Sequence, residues 1–144
     1  MCCSRVGRRS SPRSPLMGTA VFRQRSATGL DSEGAVQVVP PVGDRVVLPF
    51  DNTQGFVTAL AVLNESGSDG PPLSIVIKDE NGQTIPSGLV RLYPYSRVAF
   101  GMPAQFPASK DRRGTIEFSG SHFSVLGLRF NPRGAFTSIS PLGK

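Results

Sequence analysis

The chain has 144 residues, 38% of them hydrophobic, with 16 Lys or Arg against 10 Asp or Glu and a formal net charge of +6. That length suits one domain with some chain left over, and the apolar content suffices for a modest core. No run approaches the roughly 18 consecutive apolar residues of a membrane-spanning helix, so the sequence argues against a membrane span.

The position of the charge decides its meaning. Residues 1–30 hold Arg5, Arg8, Arg9, Arg13, Arg23 and Arg25 and no acid, which is +6. Residues 31–144 hold ten basic and ten acidic residues, which is zero. The excess sits in the N-terminal stretch, and the rest presents no net field to a polyanion. Residues 1–34 therefore read as a disordered Arg/Ser/Pro-rich tail or linker, and residues 35–142 as the folded domain. No apolar stretch of about 7–15 residues follows the basic start, so no signal peptide is recognised. Binding of nucleic acid through the basic tail stands only as a minor reading. Cys2 and Cys3 are neighbours, a poor geometry for a disulfide between them, and two clustered Cys with one His make no zinc pattern.

From Ala35 the text changes to short β-rich runs broken by turn residues every eight to twelve positions. A first strand is expected over 35–39, closed by Pro40-Pro41, and a second over 45–50, ending at Asp51-Asn52-Thr53. Residues 56–64 are nearly continuous in apolar character, which suits a central strand covered on both faces. After a loop over 65–72, residues 73–79 alternate, and Asn81-Gly82 predicts a hairpin through a type I′ turn to a strand starting at Thr84-Ile85. Short strands are expected at 89–93 and 97–101, with 105–113 as a polar connection. Residues 114–119 and 123–130 predict a hairpin over Gly120-Ser121-His122 that pairs Ile116 with Leu126 and Gly114 with Leu128. Residues 135–139 close the sheet. The expected fold is an all-β, two-sheet β-sandwich, immunoglobulin-like or jelly-roll, with eight to nine strands and no helix.

Two stretches stand out, the first being Val46-Val47-Leu48-Pro49-Phe50-Asp51-Asn52-Thr53, running through Gly55-Phe56-Val57-Thr58-Ala59-Leu60 to Asn64. The second is Arg113-Gly114-Thr115-Ile116-Glu117-Phe118, then Ser124-Val125-Leu126-Gly127-Leu128-Arg129-Phe130 and Ala135-Phe136-Thr137-Ser138-Ile139. Together they resemble the opening and the end of an uncharacterised β-sandwich module that recurs in large secreted or surface proteins of soil bacteria. The resemblance spans about residues 46–142. It implies an accessory domain outside the cytoplasm, extracellular or at the cell surface, attached to other modules, and it carries no activity and no functional residues. The chain departs from it in lacking a recognisable export signal, which makes a mis-assigned start an expectation.

Chemistry is sparse. His122 is the only histidine and falls in an expected turn, with no Gly-x-Ser-x-Gly elbow to serve, so no catalytic residue is assigned. Asp79-Glu80 and Asp51-Asn52 carry oxygen ligands but not the dense spacing of a calcium loop, and turn chemistry accounts for them. No metal site and no cofactor are expected. Asn64-Glu65-Ser66 matches the glycosylation pattern. The phenylalanines at 50, 56, 100, 106, 118, 123, 130 and 136 read mostly as core. With no Trp, the aromatics available to a sugar are Tyr93 and Tyr95, whose i, i+2 spacing puts them on one face of an extended segment near Arg91 and Arg97. The bland alternative is two tyrosines at a sandwich corner. The expectation is thus a non-catalytic structural or interaction module. Its partners would be neighbouring domains, surface proteins or a polysaccharide, and a carbohydrate-binding module using Tyr93, Tyr95, Arg91 and Arg97 is the alternative.

Overall fold

The computed structural model describes residues 18–25, 31–38, 44–68 and 72–143. In chain order its strands are β1 (Gly18–Arg25), β2 (Asp31–Val38), β3 (Arg45–Asp51), β4 (Val57–Asn64), β5 (Ser74–Asp79) and β6 (Thr84–Ile85). They continue with β7 (Arg97–Gly101), β8 (Arg113–Ser119), β9 (Phe123–Phe130), β10 (Phe136–Ile139) and β11 (Leu142–Gly143). A five-stranded sheet, ordered β11-β3-β8-β5-β6, packs on a four-stranded sheet, ordered β10-β9-β4-β7, and β1 pairs with β2 as a separate hairpin. This is the expected two-sheet all-β sandwich.

Period-two alternation fills the space between the sheets. Leu48 and Phe50 of β3, Ile75 and Ile77 of β5, and Ile116 and Phe118 of β8 enter from one side. Leu60 and Val62 of β4 and Phe123 of β9 enter from the other, with Val98, Phe100 and Val125 packed against them. Truncating a fully buried ring such as Phe118 to Ala removes about 3–5 kcal/mol by loss of transfer energy and the cavity left behind. Gly127 lies in register with Leu60, and a Cβ there would stand 2.8 Å from Leu48 on the facing sheet. Its missing side chain lets the two sheets approach.

Several expectations are corrected. β8 and β9 do not pair with each other: Ile116 pairs with Leu48 and Ile77, and Leu126 pairs with Ala61. The link at 120–122 crosses between sheets instead. Matching inward faces is satisfied equally by strands side by side and by strands facing across the core, so alternation alone does not choose. The β5–β6 hairpin forms, but without a type I′ turn. Gly82 N–H donates to the Asp79 carbonyl at 2.9 Å, Asp79 N–H donates to the Gln83 carbonyl, and of the two central residues only Gly82 has positive φ. This is a three-residue loop with a glycine bulge, and the Asp79 carboxylate holds it by accepting from the amides of Asn81 and Gln83. The positive pair sits at Gln54-Gly55 (φ 54 and 77) between β3 and β4.

Residues 89–93 are not a strand; only Val90 bridges, to Leu73. A single helical turn, α1 (Met102–Gln105), leads into the polar connection, which holds a 3₁₀ turn over Pro107–Ser109, because Met102 and Phe106 supply apolar anchors that reach the core. The expected tail is also revised, because β1 and the start of β2 fall inside residues 1–34. Ser32 and Gly34 are buried, Gly34 lies against the Phe136 ring, and the Ser138 hydroxyl donates to the Ala35 carbonyl at 2.7 Å. Residues 1–17, including Cys2 and Cys3, lie outside the described residues, as do residues 26–30. β4 is central, as expected, yet it is covered on one face only: Val57 and Leu63 are exposed. Phe130 and Phe136 stack outside the core, 5.7 Å apart. Among the described residues no helix is long and apolar enough to cross a membrane.

Candidate functional site

The register of the strands gathers the loops at two poles. At one pole stand the 51–56, 79–83 and 106–113 segments and the β9–β10 turn; at the other stand 64–68, 91–97 and 120–122.

The first pole is charged. Asp51 ends β3, and its carboxylate accepts from the hydroxyl of Thr53 at 2.7 Å and the amide of Thr53 at 3.0 Å. Asn52, buried, is the hub behind the loops. Its Nδ2 donates to the carbonyl and the hydroxyl of Ser109, its Oδ1 accepts from the amide of Thr58 at 2.7 Å, and its own amide donates to the Arg112 carbonyl. Polar groups removed from water cost stability unless paired, and Asn52 pairs its amide and both ends of its side chain. In this way the 106–113 segment is fastened to the β3–β4 turn. The β9–β10 turn repeats the Asp79 device: the Asn131 carboxamide oxygen accepts from the amides of Arg133 and Ala135, with Gly134 at φ 84.

Between these braced loops lies a cleft of about 530 Å³. Thr53 and Gln54 contribute from the β3–β4 turn, Asp79, Glu80 and Asn81 from the β5–β6 hairpin, and Asp111, Arg112 and Arg113 from the approach to β8. Arg112 pairs with Asp79 at 3.5 Å, and Arg113 Nε with Glu80. The Glu80 hydrogen bond and charge raise the Arg113 guanidinium above its ordinary value. Among the described residues no group of three or more His, Cys, Asp or Glu stands placed for a metal ion.

The second pole carries the residues chosen from sequence. Tyr93 and Tyr95 are 66% and 73% exposed, and Arg91 and Arg97 are exposed as well. The tyrosines do not lie on an extended segment. Ser96 N–H donates to the Tyr93 carbonyl at 3.1 Å, closing a tight turn in which Tyr95 has φ 49 and lies over Gly67. Arg97 belongs to β7, where it pairs with Leu63. Asn64 is buried, and its Nδ2 donates to the Tyr93 carbonyl at 2.9 Å, so the glycosylation-type tripeptide serves as a loop clamp. His122 sits in the 120–122 crossing at this pole with φ 55, exposed and far along the strands from the charged cleft.

The grouping of Gln54, Asn81, Asp111, Arg112 and Arg113 was not legible in the chain order. The only available signal was turn chemistry at each loop, since convergence depends on which strands share a pole. The fold and its surfaces define a β-sandwich with a polar loop cleft. No protein-family model, characterised protein or solved structure matches the chain.

Proposed function

We propose that the chain is a non-catalytic structural or interaction module of an exported or cell-surface bacterial protein. The observation that carries this reading is the contrast between the two outer faces. On the five-stranded sheet, the outward positions interleave polar Arg45, Thr115, Glu117, Ser74 and Lys78 with Val47, Pro49 and Val76, and Arg45 is paired to Glu117. On the four-stranded sheet, the register brings Val57 beside Phe130, Ala59 beside Leu128, and Ala61 beside Leu126 and Ala99. A sheet meant to face water alternates apolar and polar residues; this one is apolar on both faces. The β1–β2 hairpin meets it at β10 through Phe136 and Ser138, while Val57 and Leu63 stay exposed. Contiguous exposed apolar surface marks a place where further protein packs.

The strings at 46–64 and 113–139 support the exported setting through their resemblance to surface modules. Fractionation of the producing cells tests it: the chain is expected in the medium or on the surface, and confinement to the cytoplasm counts against it. Turnover of ester or glycosidic substrates by the purified chain counts against the non-catalytic part.

A second reading, carbohydrate binding through Tyr93, Tyr95, Arg91 and Arg97, is favoured by one observation. A bulky residue at positive φ is uncommon, and such strain persists where a side chain has work to do. Loss of polysaccharide retention in Tyr95→Ala is the outcome this reading requires.

A further inference from the structure

We propose that the cleft at the charged pole is a binding site for a neutral glycan chain. The proposal rests on the non-catalytic reading above and adds to it a ligand class and a place. Gln54, Asn81 and Asp111 arrive from three separate loops, and none of their side chains has a hydrogen bond or ion pair to another described residue. The remaining walls are partly engaged. Asp79 is occupied by the amides of its own hairpin, and Glu80 takes Arg113 through Nε, which leaves the two terminal nitrogens of that guanidinium free. Arg112 reaches Asp79 only at 3.5 Å. The cleft therefore presents one free carboxylate, two free carboxamides and a set of guanidinium donors.

That mixture selects the ligand. Three acids (Asp79, Glu80, Asp111) against two arginines give −1, which does not draw in phosphates or other polyanions. No aliphatic or aromatic side chain lines the walls, so an apolar molecule finds no partner there. The groups that satisfy carboxylate, carboxamide and guanidinium together are hydroxyls, which donate and accept at once and which planar side chains bind in adjacent pairs. A cleft of about 530 Å³ falls within the size range of small-ligand sites and is open along the loop tips to a continuing chain.

The frame is rigid before any ligand arrives. Gln54 and Asp111 hold positive φ (54 and 56), and the Asn52 hub fixes the two loops that carry them. Backbone already fixed by the loops loses little further freedom on binding.

The test is native affinity electrophoresis of the full chain through gels containing hydroxyethylcellulose, xyloglucan or galactomannan, with pectin as the anionic control. Retardation by at least one neutral polymer is expected, weakened at least about tenfold in Asp111→Asn and in Asn81→Ala, and retained in Tyr95→Ala. Asn adopts positive φ readily, so Asp111→Asn keeps the loop, and an unchanged Tm separates lost binding from lost fold. The proposal is overturned by the absence of retardation in all three neutral polymers, by retention of pectin alone, or by retardation that both cleft variants leave intact. Release of reducing ends from a retained polymer sustains the cleft as the site and overturns the non-catalytic reading instead.

Discussion

Arg129 of β9 donates its Nη2–H to the Oδ2 of Asp51 at the end of β3 across 2.6 Å, tying one sheet to the other at the charged pole. The same guanidinium lies 3.8 Å over the centre of the Phe56 ring, and its Nε is buried without a partner among the described residues. One arginine thus closes the sandwich beside the corner where the chain leaves β3 for β4. Its Nη2 is engaged by Asp51 and its face by Phe56, which holds the guanidinium against the corner.

The tie is pH-dependent. Burial alone pushes the Asp51 carboxyl up, but the hydroxyl and amide of Thr53, and then the charges of Arg129 and Arg113, outweigh it and hold the carboxyl below its ordinary value of 3.8. A carboxyl held lower in the folded chain than in the unfolded one contributes stability above the ordinary value and loses it as pH falls through the lower, folded value. Asp51→Asn is expected to cost about 1–2 kcal/mol at neutral pH. In urea melts the gap to wild type should narrow as pH falls from the ordinary value through the lower, folded one. A gap of constant size from neutral to acid pH contradicts the assignment.

Asn52 should be the most sensitive polar position of the described structure. Asn52→Ala leaves the amide of Thr58 and the hydroxyl of Ser109 unpaired in a buried site, at about 1–3 kcal/mol for each group stranded, while the Ser109 carbonyl keeps the Arg112 amide. A total loss of about 2–4 kcal/mol by chemical denaturation is expected. Asn52→Asp should do no better, because it keeps the acceptor for Thr58 but turns a second acceptor toward Ser109.

The strands themselves were legible because alternation and turn residues speak locally. Residues 45–51, 57–64 and 123–130 fall within a residue or two of where their patterns place them. The partnerships were not, because the chain changes sheets after β2, β3, β4, β6, β7, β8 and β10, and only β1–β2, β5–β6 and β9–β10 are consecutive strands paired within a sheet. Leu126 and Leu128 looked inward because they are leucines; the inward positions of β9 are Phe123, Val125 and Gly127. A glycine facing the core gives no hydrophobic signal, so the phase of that strand was hidden. The candidate cleft was hidden for a related reason: Gln54, Asn81 and Asp111 are unremarkable turn residues until the sheet order brings their loops together.

Two glycines separate space from backbone conformation. A Cβ on Gly114 would stand 1.9 Å from the Lys78 carbonyl oxygen, within the ladder that pairs β8 with β5. Backbone cannot yield there without breaking the pairing, so Gly114→Ala is expected to abolish soluble folded protein. Gly82 has φ 77 and open space around its would-be Cβ, so Gly82→Ala carries only the cost of a left-handed alanine, about 1–2 kcal/mol. Equal melting temperatures for the two variants contradict the pairing of β5 with β8 in this register.

Tyr95 offers a way to separate strain from function. It holds φ 49 in the turn closed by Ser96, a position at which glycine or asparagine rests with less cost. Its amide donates to the Ser66 carbonyl and its ring covers Gly67, while 73% of the residue remains in water, so little packing is lost on shortening it. Tyr95→Asn is therefore expected to raise stability by about 0.5–1 kcal/mol in thermal melts. A clear loss of stability means that the ring over Gly67 contributes more than the strain costs, and that Tyr95 is retained for the fold. A gain means that the chain carries a strained tyrosine for a reason outside the fold, which returns attention to what touches that pole.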